Sequence, residues 1–201
     1  MTTIVERRAQ DQDAVLFICD FTPPRGLDPR LLEPARELPA DFISVAYNPG
    51  KSVRAASVLA AQWIKENTDR DVVFTLATRD MNKVAVQSLL LGAELLGLEN
   101  VVIVSGDALS RREMSLLKSV ADYTPTGLLR AVGEMNRGID YKGLKLRAPT
   151  DLCVGATFDP SKNMGRELKL TRRKVEAGAQ FFMSQPTFDP AVPSEFMQRY
   201  A

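Results

Sequence analysis

Hydrophobic positions along the chain fall into two alternating kinds of segment. Six short runs, rich in Val, Ile and Phe, are almost continuously apolar: residues 14–21, 41–47, 71–77, 100–105, 151–157 and 179–184. Such runs are typical of strands that are buried on both faces of a sheet. The longer segments between them repeat apolar residues with a helical period. The pattern therefore predicts an α/β protein in which parallel strands are joined by crossover helices.

Four of the connecting segments have a helical pattern. Three apolar stripes are expected to face the sheet, namely Val53, Ala56, Leu59, Ala60, Trp63 and Ile64; Val86, Leu89, Leu90, Ala93 and Leu96; and Leu168, Thr171, Val175 and Ala179. A further helix is predicted within residues 124–138, because the segment opens with a proline-containing cap and closes at Gly138. With six strands, this organisation predicts about six βα units in a single domain over residues 1–201.

Polar residues at the strand ends distinguish between two parallel architectures. A doubly wound nucleotide-binding sheet should carry a G-x-G-x-x-G or Walker A motif, and the chain contains neither. A TIM-barrel-like (β/α) fold instead places polar side chains at the carboxyl ends of many strands. The chain has such residues at Asp20, Tyr47, Thr75 or Thr78, Asp107, Asp159 and Gln185. We therefore predict a TIM-barrel-like domain, and six units make an incomplete barrel.

The stretch "FICDFTPPRG" places an acid at the end of the first predicted strand. Pro23 and Pro24 follow Asp20 closely, and they end the strand because proline cannot continue a sheet ladder. Asp20 is then either a side chain delivered to the mouth of the barrel or a residue that caps a turn. Taken alone, the stretch favours neither interpretation.

Charge and residue content exclude several function classes. The formal net charge is +1, which gives no electrostatic case for binding nucleic acid or an anionic membrane. The basic run at 172–174 lies between Glu167 and Glu176 and is expected to be a solvated helix face. The chain has no histidine, which removes Ser-His-Asp and Cys-His catalysis and most zinc chemistry. No metal site is expected, and acid–base chemistry would fall to Asp, Glu, Lys or Tyr.

Two further features indicate the cellular compartment in which the protein is expected. Cys19 and Cys153 each lie in an apolar run, so both are predicted to be buried free thiols. The amino-terminal segment lacks the apolar core of a signal peptide, and no stretch reaches membrane-spanning length. We expect a cytoplasmic protein.

Four stretches, in order along the chain, resemble the methylenetetrahydrofolate reductase family. They are "DFTPPR" at 20–25, "DFISVAY" at 41–47, "VIVSGD" at 102–107 and "LTRRKVEAGAQFFMSQPTFD" at 170–189. The resemblance implies a (β/α)₈ barrel that binds FAD. It also implies the reduction of 5,10-methylenetetrahydrofolate to 5-methyltetrahydrofolate with NAD(P)H.

The resemblance also implies roles for individual residues. Asp20 matches the general acid that acts on the folate nitrogen, a position where typical members have the longer Glu. Asp107 matches an aspartate near both the flavin and the pterin. Gln185 matches a substrate-binding glutamine. The other implied flavin contacts are Tyr123, Glu167 and Lys174.

Departures from the family pattern leave three functions open. Thr75 and Ser161 stand where typical members have histidines near the flavin, and Ser105 replaces an arginine. The protein is then a flavin-dependent reductase, a reductase that passes hydride from NAD(P)H to folate without flavin, or a non-catalytic folate-binding or accessory subunit. Two of the eight family units are also missing, which leaves sheet edges unpaired. We therefore expect a homo-oligomer or a complex with another chain.

Overall fold

The computed structural model describes residues 2–13 and 15–200, so Ala14, the first residue of the first predicted strand, lies outside the described residues. Six parallel strands pair in chain order and form a curled half-barrel. The strands are β1 (Ile18–Phe21), β2 (Phe42–Val45), β3 (Asp71–Ala77), β4 (Asn100–Val104), β5 (Cys153–Phe158) and β6 (Phe181–Ser184). The predicted incomplete TIM-barrel-like fold is confirmed, although most of the strands are shorter than the apolar runs that contain them.

Helices follow or precede the strands in the expected alternation. They are α1 (Ile4–Gln10), α2 (Ser57–Asn67), α3 (Lys83–Leu95), α4 (Arg111–Met114), α5 (Pro125–Met135), α6 (Met164–Glu176) and α7 (Ala191–Tyr200). Short 3-10 segments occur at Pro29–Glu37, Pro49–Lys51 and Thr78–Asp80. The helix predicted within 124–138 is confirmed as α5, because the Thr124 side chain caps its first turn and Gly138 ends it with φ +79°.

The apolar core has two parts, one on each face of the sheet. The larger part lies between the convex face and helices α2, α3 and α5. The smaller part fills the concave face, the lumen of the half-barrel, and contains Ile4, Phe42, Val73 and Val102. Ile4 belongs to α1, and its backbone N–H donates to the buried Asn100 side chain at the start of β4 (2.9 Å). Helix α1 therefore covers the amino-terminal end of the lumen.

The two outer strands differ from the four central ones. β1 pairs only with β2, and β6 only with β5, so each has an open edge. Residues of β2, β3, β4 and β5 are mostly buried, whereas those of β1 and β6 are half-buried or exposed. Phe17, next to β1, is 64% exposed. The prediction that all six strands are buried on both faces is therefore wrong for β1 and β6, because no strand of the described residues lies beyond them.

The predicted helical stripes are only partly correct. On α3, Val86, Leu90 and Ala93 are buried as predicted. On the segment before and within α2, Val53 and Leu59 are exposed, because α2 begins at Ser57 and turns Leu59 away from the sheet. Within the described residues, no helix combines the length and the apolarity needed to cross a bilayer.

The cysteines differ in burial. Cys153 is buried in β5, as predicted, and burial raises the pKa of its thiol to about 11. Cys19 is only half-buried, because it lies on the edge strand β1. The prediction of full burial is therefore wrong for Cys19.

Candidate active site at the carboxyl ends of the strands

A cavity of about 500 Å³ lies at the carboxyl ends of the strands and is called here the central cavity. Its lining includes Asp20 from β1, Asp107 from the loop after β4 and Gln185 from the loop after β6. Its wall also contains Ser44, Tyr47, Thr75, Arg79 and Thr157. Parallel strands deliver their last side chains to one edge of the sheet, and three residues distant in sequence meet there for that reason.

Two of the predicted site residues, Asp20 and Gln185, keep their side chains available. The Asp20 carboxylate makes no hydrogen bond or ion pair with another residue of the described chain, and Asp20 is exposed. Gln185 is anchored through its backbone, since its N–H donates to the Phe158 carbonyl (2.8 Å). The Gln185 amide therefore remains free to act as both donor and acceptor.

A second cavity, of about 850 Å³, adjoins the central cavity and is called here the α5–α6 cavity. It lies between the ends of β4 and β5 and the helices α5 and α6, and it shares Asp107 and Gln185 with the central cavity. Glu167 and Lys174, predicted from the resemblance as flavin contacts, line it. Arg130, Lys162 and Arg173 add positive charge to the same walls.

The side chains of Glu167 and Lys174 point from α6 towards the sheet and make hydrogen bonds to the backbone at the end of β5. The Glu167 carboxylate accepts the backbone N–H of Asp159 (3.0 Å), and the Lys174 ammonium donates to the Thr157 carbonyl. Burial lowers the pKa of Lys174, and the nearby Glu167 carboxylate partly opposes this shift.

The inward stripe of α6 is thus Glu167, Thr171 and Lys174, while Val175 is 43% exposed. The predicted stripe is therefore correct for Thr171 and wrong for Val175. The predicted solvation of Lys174 is also wrong, because polar groups on α6 satisfy the backbone at the strand end.

A third cavity, of about 720 Å³, lies on the other side of Asp107 and is called here the α4 cavity. Tyr123 lines it together with Met114 and Leu117. Tyr123 is half-buried, and its pKa is raised mainly by burial and also by the neighbouring Asp122.

The structure thus brings Asp20, Asp107 and Gln185 to one cavity, Glu167 and Lys174 to a second and Tyr123 to a third. Asp107 lines all three.

An ion pair that was not predicted from the sequence lies at the end of β3. The Arg79 guanidinium donates two hydrogen bonds of 2.6 Å to the Asp80 carboxylate, and both residues follow β3 directly. The hydrogen bond from Arg79 is the main reason why the pKa of Asp80 is lowered. The "TRD" at 78–80 is an available signal, since charged residues that follow a buried strand at once are placed at the carboxyl edge of the sheet.

A second missed contact joins two loops above the central cavity. The Lys51 ammonium donates to the Glu113 carboxylate (2.8 Å) and to the Ala108 carbonyl (3.0 Å). Lys51 and Ser110 together hold the pKa of the Glu113 carboxyl at about 2. This contact links the loop after β2 to the short helix α4.

Comparison with known proteins agrees with this architecture. No match to the chain was found among curated proteins. The family model described as methylenetetrahydrofolate reductase matches residues 5–201, which is nearly the whole chain. The chain therefore belongs to the methylenetetrahydrofolate reductase family.

Proposed function

We propose that the protein reduces 5,10-methylenetetrahydrofolate to 5-methyltetrahydrofolate with NAD(P)H, through a bound flavin. The observation that carries the proposal is the meeting of Asp20, Asp107 and Gln185 in the central cavity of a chain that belongs to this family. A volume of about 500 Å³ is within the range of small-molecule sites.

Asp20 is assigned the role of general acid. The five-membered ring of the substrate must open to an iminium cation before hydride can add to the one-carbon unit, and protonation of the departing nitrogen promotes that opening. A carboxyl group that lines the cavity and has no partner among the described residues is free to move this proton. The hydride then adds to the methylene carbon of the iminium to give the methyl group.

Asp107 and Gln185 are assigned to binding of the pterin ring. A pterin presents both hydrogen-bond donors and acceptors along its edge, and a carboxylate together with a primary amide complements both. Two residues, one after β4 and one after β6, would fix the orientation of the ring relative to Asp20.

The residues around the α5–α6 cavity fit a flavin nucleotide. The cavity is open to Asp107 and has Arg130, Lys162, Arg173 and Lys174 on its walls, which suits a diphosphate. Lys174 uses one ammonium proton on Thr157, so two donors remain for a phosphate. Glu167 lines the same cavity and would add a contact, whereas Tyr123 lines the α4 cavity. A flavin held there would supply the hydride that it receives from NAD(P)H.

The first test is the absorption spectrum of the purified protein after incubation with FAD, followed by NADH and NADPH oxidation with methylenetetrahydrofolate. A flavin spectrum and folate-dependent oxidation are expected. Oxidation without any bound flavin would replace the proposal by direct hydride transfer. Folate binding without oxidation would replace it by a non-catalytic subunit.

The second test is Asp20→Asn, which keeps the shape and removes the acidic proton. We expect folate reduction to fall on the order of a hundredfold or more, while flavin reduction by NAD(P)H is unaffected. Asp69→Asn is the matched control, because Asp69 is exposed at the turn before β3, at the opposite end of the sheet. Folate reduction that is equal in both variants would remove Asp20 from the mechanism.

A further inference from the structure

Charged and polar side chains lie at three neighbouring strand ends in the wall of the central cavity. Tyr47, after β2, lies close to Asp80, and the pKa of its hydroxyl is raised mainly by burial and also by the Asp80 carboxylate. Asp80 binds two nitrogens of the Arg79 guanidinium, each at 2.6 Å. The third guanidinium nitrogen donates to the backbone carbonyl of Asp107 (2.9 Å). The network thus ends at the residue that lines all three cavities.

The backbone of Arg79 holds a second segment. Its carbonyl accepts the N–H groups of Val120 (2.9 Å) and Ala121 (3.2 Å), and the Ser119 hydroxyl lies 3.3 Å from it. One residue therefore ties down the loop after β4 through its side chain and the segment before α5 through its carbonyl. Both segments line the α4 cavity.

Close packing fixes the direction in which Asp107 leaves the loop. Gly106 has φ +82°, and a Cβ at this position would lie 3.2 Å from the Cβ atoms of Ala77 and Arg79. The backbone at Gly106 therefore packs closely against Arg79. This contact, together with the hydrogen bond from Arg79 to the Asp107 carbonyl, fixes the position of Asp107. The Arg79 side chain is only 10% exposed, so the guanidinium needs the Asp80 carboxylate as a counter-ion.

We propose that Arg79 is a positioning residue that holds the Asp107 carboxylate in the central cavity for folate binding, with Asp80 orienting the guanidinium. The proposal rests on the proposed function for the identity of the ligand. The bond to the Asp107 carbonyl fixes the peptide group that carries the Asp107 side chain. Arginine can make this bond and the two bonds to Asp80 at once because its donors form a planar fork, which lysine lacks.

The test compares Arg79→Ala and Arg79→Lys with Arg137→Ala, which breaks a surface pair with Glu134 on α5. Three readouts are used: amide hydrogen exchange, the Kd for 5-methyltetrahydrofolate, and kcat/KM for folate reduction. In both Arg79 variants we expect faster exchange at 105–109, but not in α2 and not at 120–121, whose N–H groups donate to the Arg79 backbone carbonyl that both variants keep. We also expect weaker folate binding and a loss in kcat/KM on the order of a hundredfold. Guanidinium ion at sub-denaturing concentration should restore part of each loss in Arg79→Ala only.

The outcomes separate this inference from the proposed function. Unchanged exchange at 105–109 in both Arg79 variants overturns the positioning role, whether or not the protein reduces folate. Faster exchange throughout the chain, without rescue by guanidinium, shows a purely structural pair and also overturns it. A wild-type protein that binds 5-methyltetrahydrofolate but reduces no folate refutes the proposed reaction, and exchange and binding still decide the role of Arg79. If Arg79→Ala does not fold, Arg79→Lys alone decides the exchange and binding tests.

Discussion

Gly155 is the position in the lumen where a single methyl group should do the most damage. It lies in β5 opposite Phe181 of β6 in the strand register. A Cβ added to Gly155 would lie 2.4 Å from two ring atoms of Phe181 and 2.8 Å from a third. Carbon atoms pack best at about 3.5–4.0 Å, so the Phe181 ring would have to move by about 1 Å.

The expected cost of Gly155→Ala follows from two opposing effects. Overpacking of this kind costs about 1–3 kcal/mol. Alanine is also less flexible than glycine in the unfolded chain, and this effect raises the free energy of unfolding by about 0.4–1 kcal/mol. We therefore expect a net loss of about 1–2 kcal/mol in the free energy of unfolding. For a chain of this length, that corresponds to a fall in Tm of about 2–8 °C.

Urea unfolding followed by the fluorescence of the single tryptophan, Trp63, provides the assay. Gly92→Ala is the matched control, since Gly92 is inside α3 and an added Cβ would meet no atom within 4 Å. The free energy of unfolding of that variant should rise by about 0.5–1 kcal/mol, because alanine has the higher helix propensity and is less flexible in the unfolded chain.

Phe181→Leu shortens the side chain that clashes with the added methyl group. The double variant Gly155→Ala/Phe181→Leu should therefore be more stable than the sum of the two single changes. The reasoning is refuted if Gly155→Ala unfolds at the same urea concentration as wild type, or if the two changes are additive.

Three further predictions concern the loops, the thiols and the sheet edges. Because the pKa of Glu113 is lowered to about 2, its contact with Lys51 should be complete above the ordinary carboxyl pKa of 4.5 and be lost as the pH falls towards 2. Amide exchange at 109–117 should rise over that range relative to α3. Cys19 should react with iodoacetamide faster than Cys153, because Cys153 is 3% exposed and its thiol pKa is about 11. The open edges of β1 and β6 should drive association of the isolated chain, seen by sedimentation at micromolar concentration.

Each of these has a control or a contrary outcome. Glu113→Gln should exchange fast at 109–117 already at neutral pH, and a wild-type pH profile in this variant would exclude the contact with Lys51. For the thiols, Cys153→Ser should leave the fast labelling intact, whereas loss of the fast phase would assign it to Cys153. A monomer at all concentrations, with one cooperative unfolding transition, would show that the edges need no partner.

Much of the architecture could be predicted from the pattern of residues. Continuous apolar runs separated by helical periods require parallel strands with crossovers, because no other connection joins parallel neighbours. The strand ends could be predicted as well, since Pro23 and Pro24 stop the first strand and polar residues mark the ends of the others. For this reason Asp20, Asp107 and Gln185 could be placed at one edge of the sheet before any coordinates existed.

Tertiary structure alone decided which face each residue occupies. A strand that is apolar at every position gives no sign of whether Gly155 faces the lumen or the helices, and neighbouring strands settle the question. A shift of one residue turns a helical stripe by about 100°, which is why Glu167 and Lys174 of α6, and not Val175, face the sheet. The bond from Arg79 to the Asp107 carbonyl joins residues 28 apart in sequence. Such a contact depends on the distance between two strand ends, and that distance is fixed only when the sheet has formed.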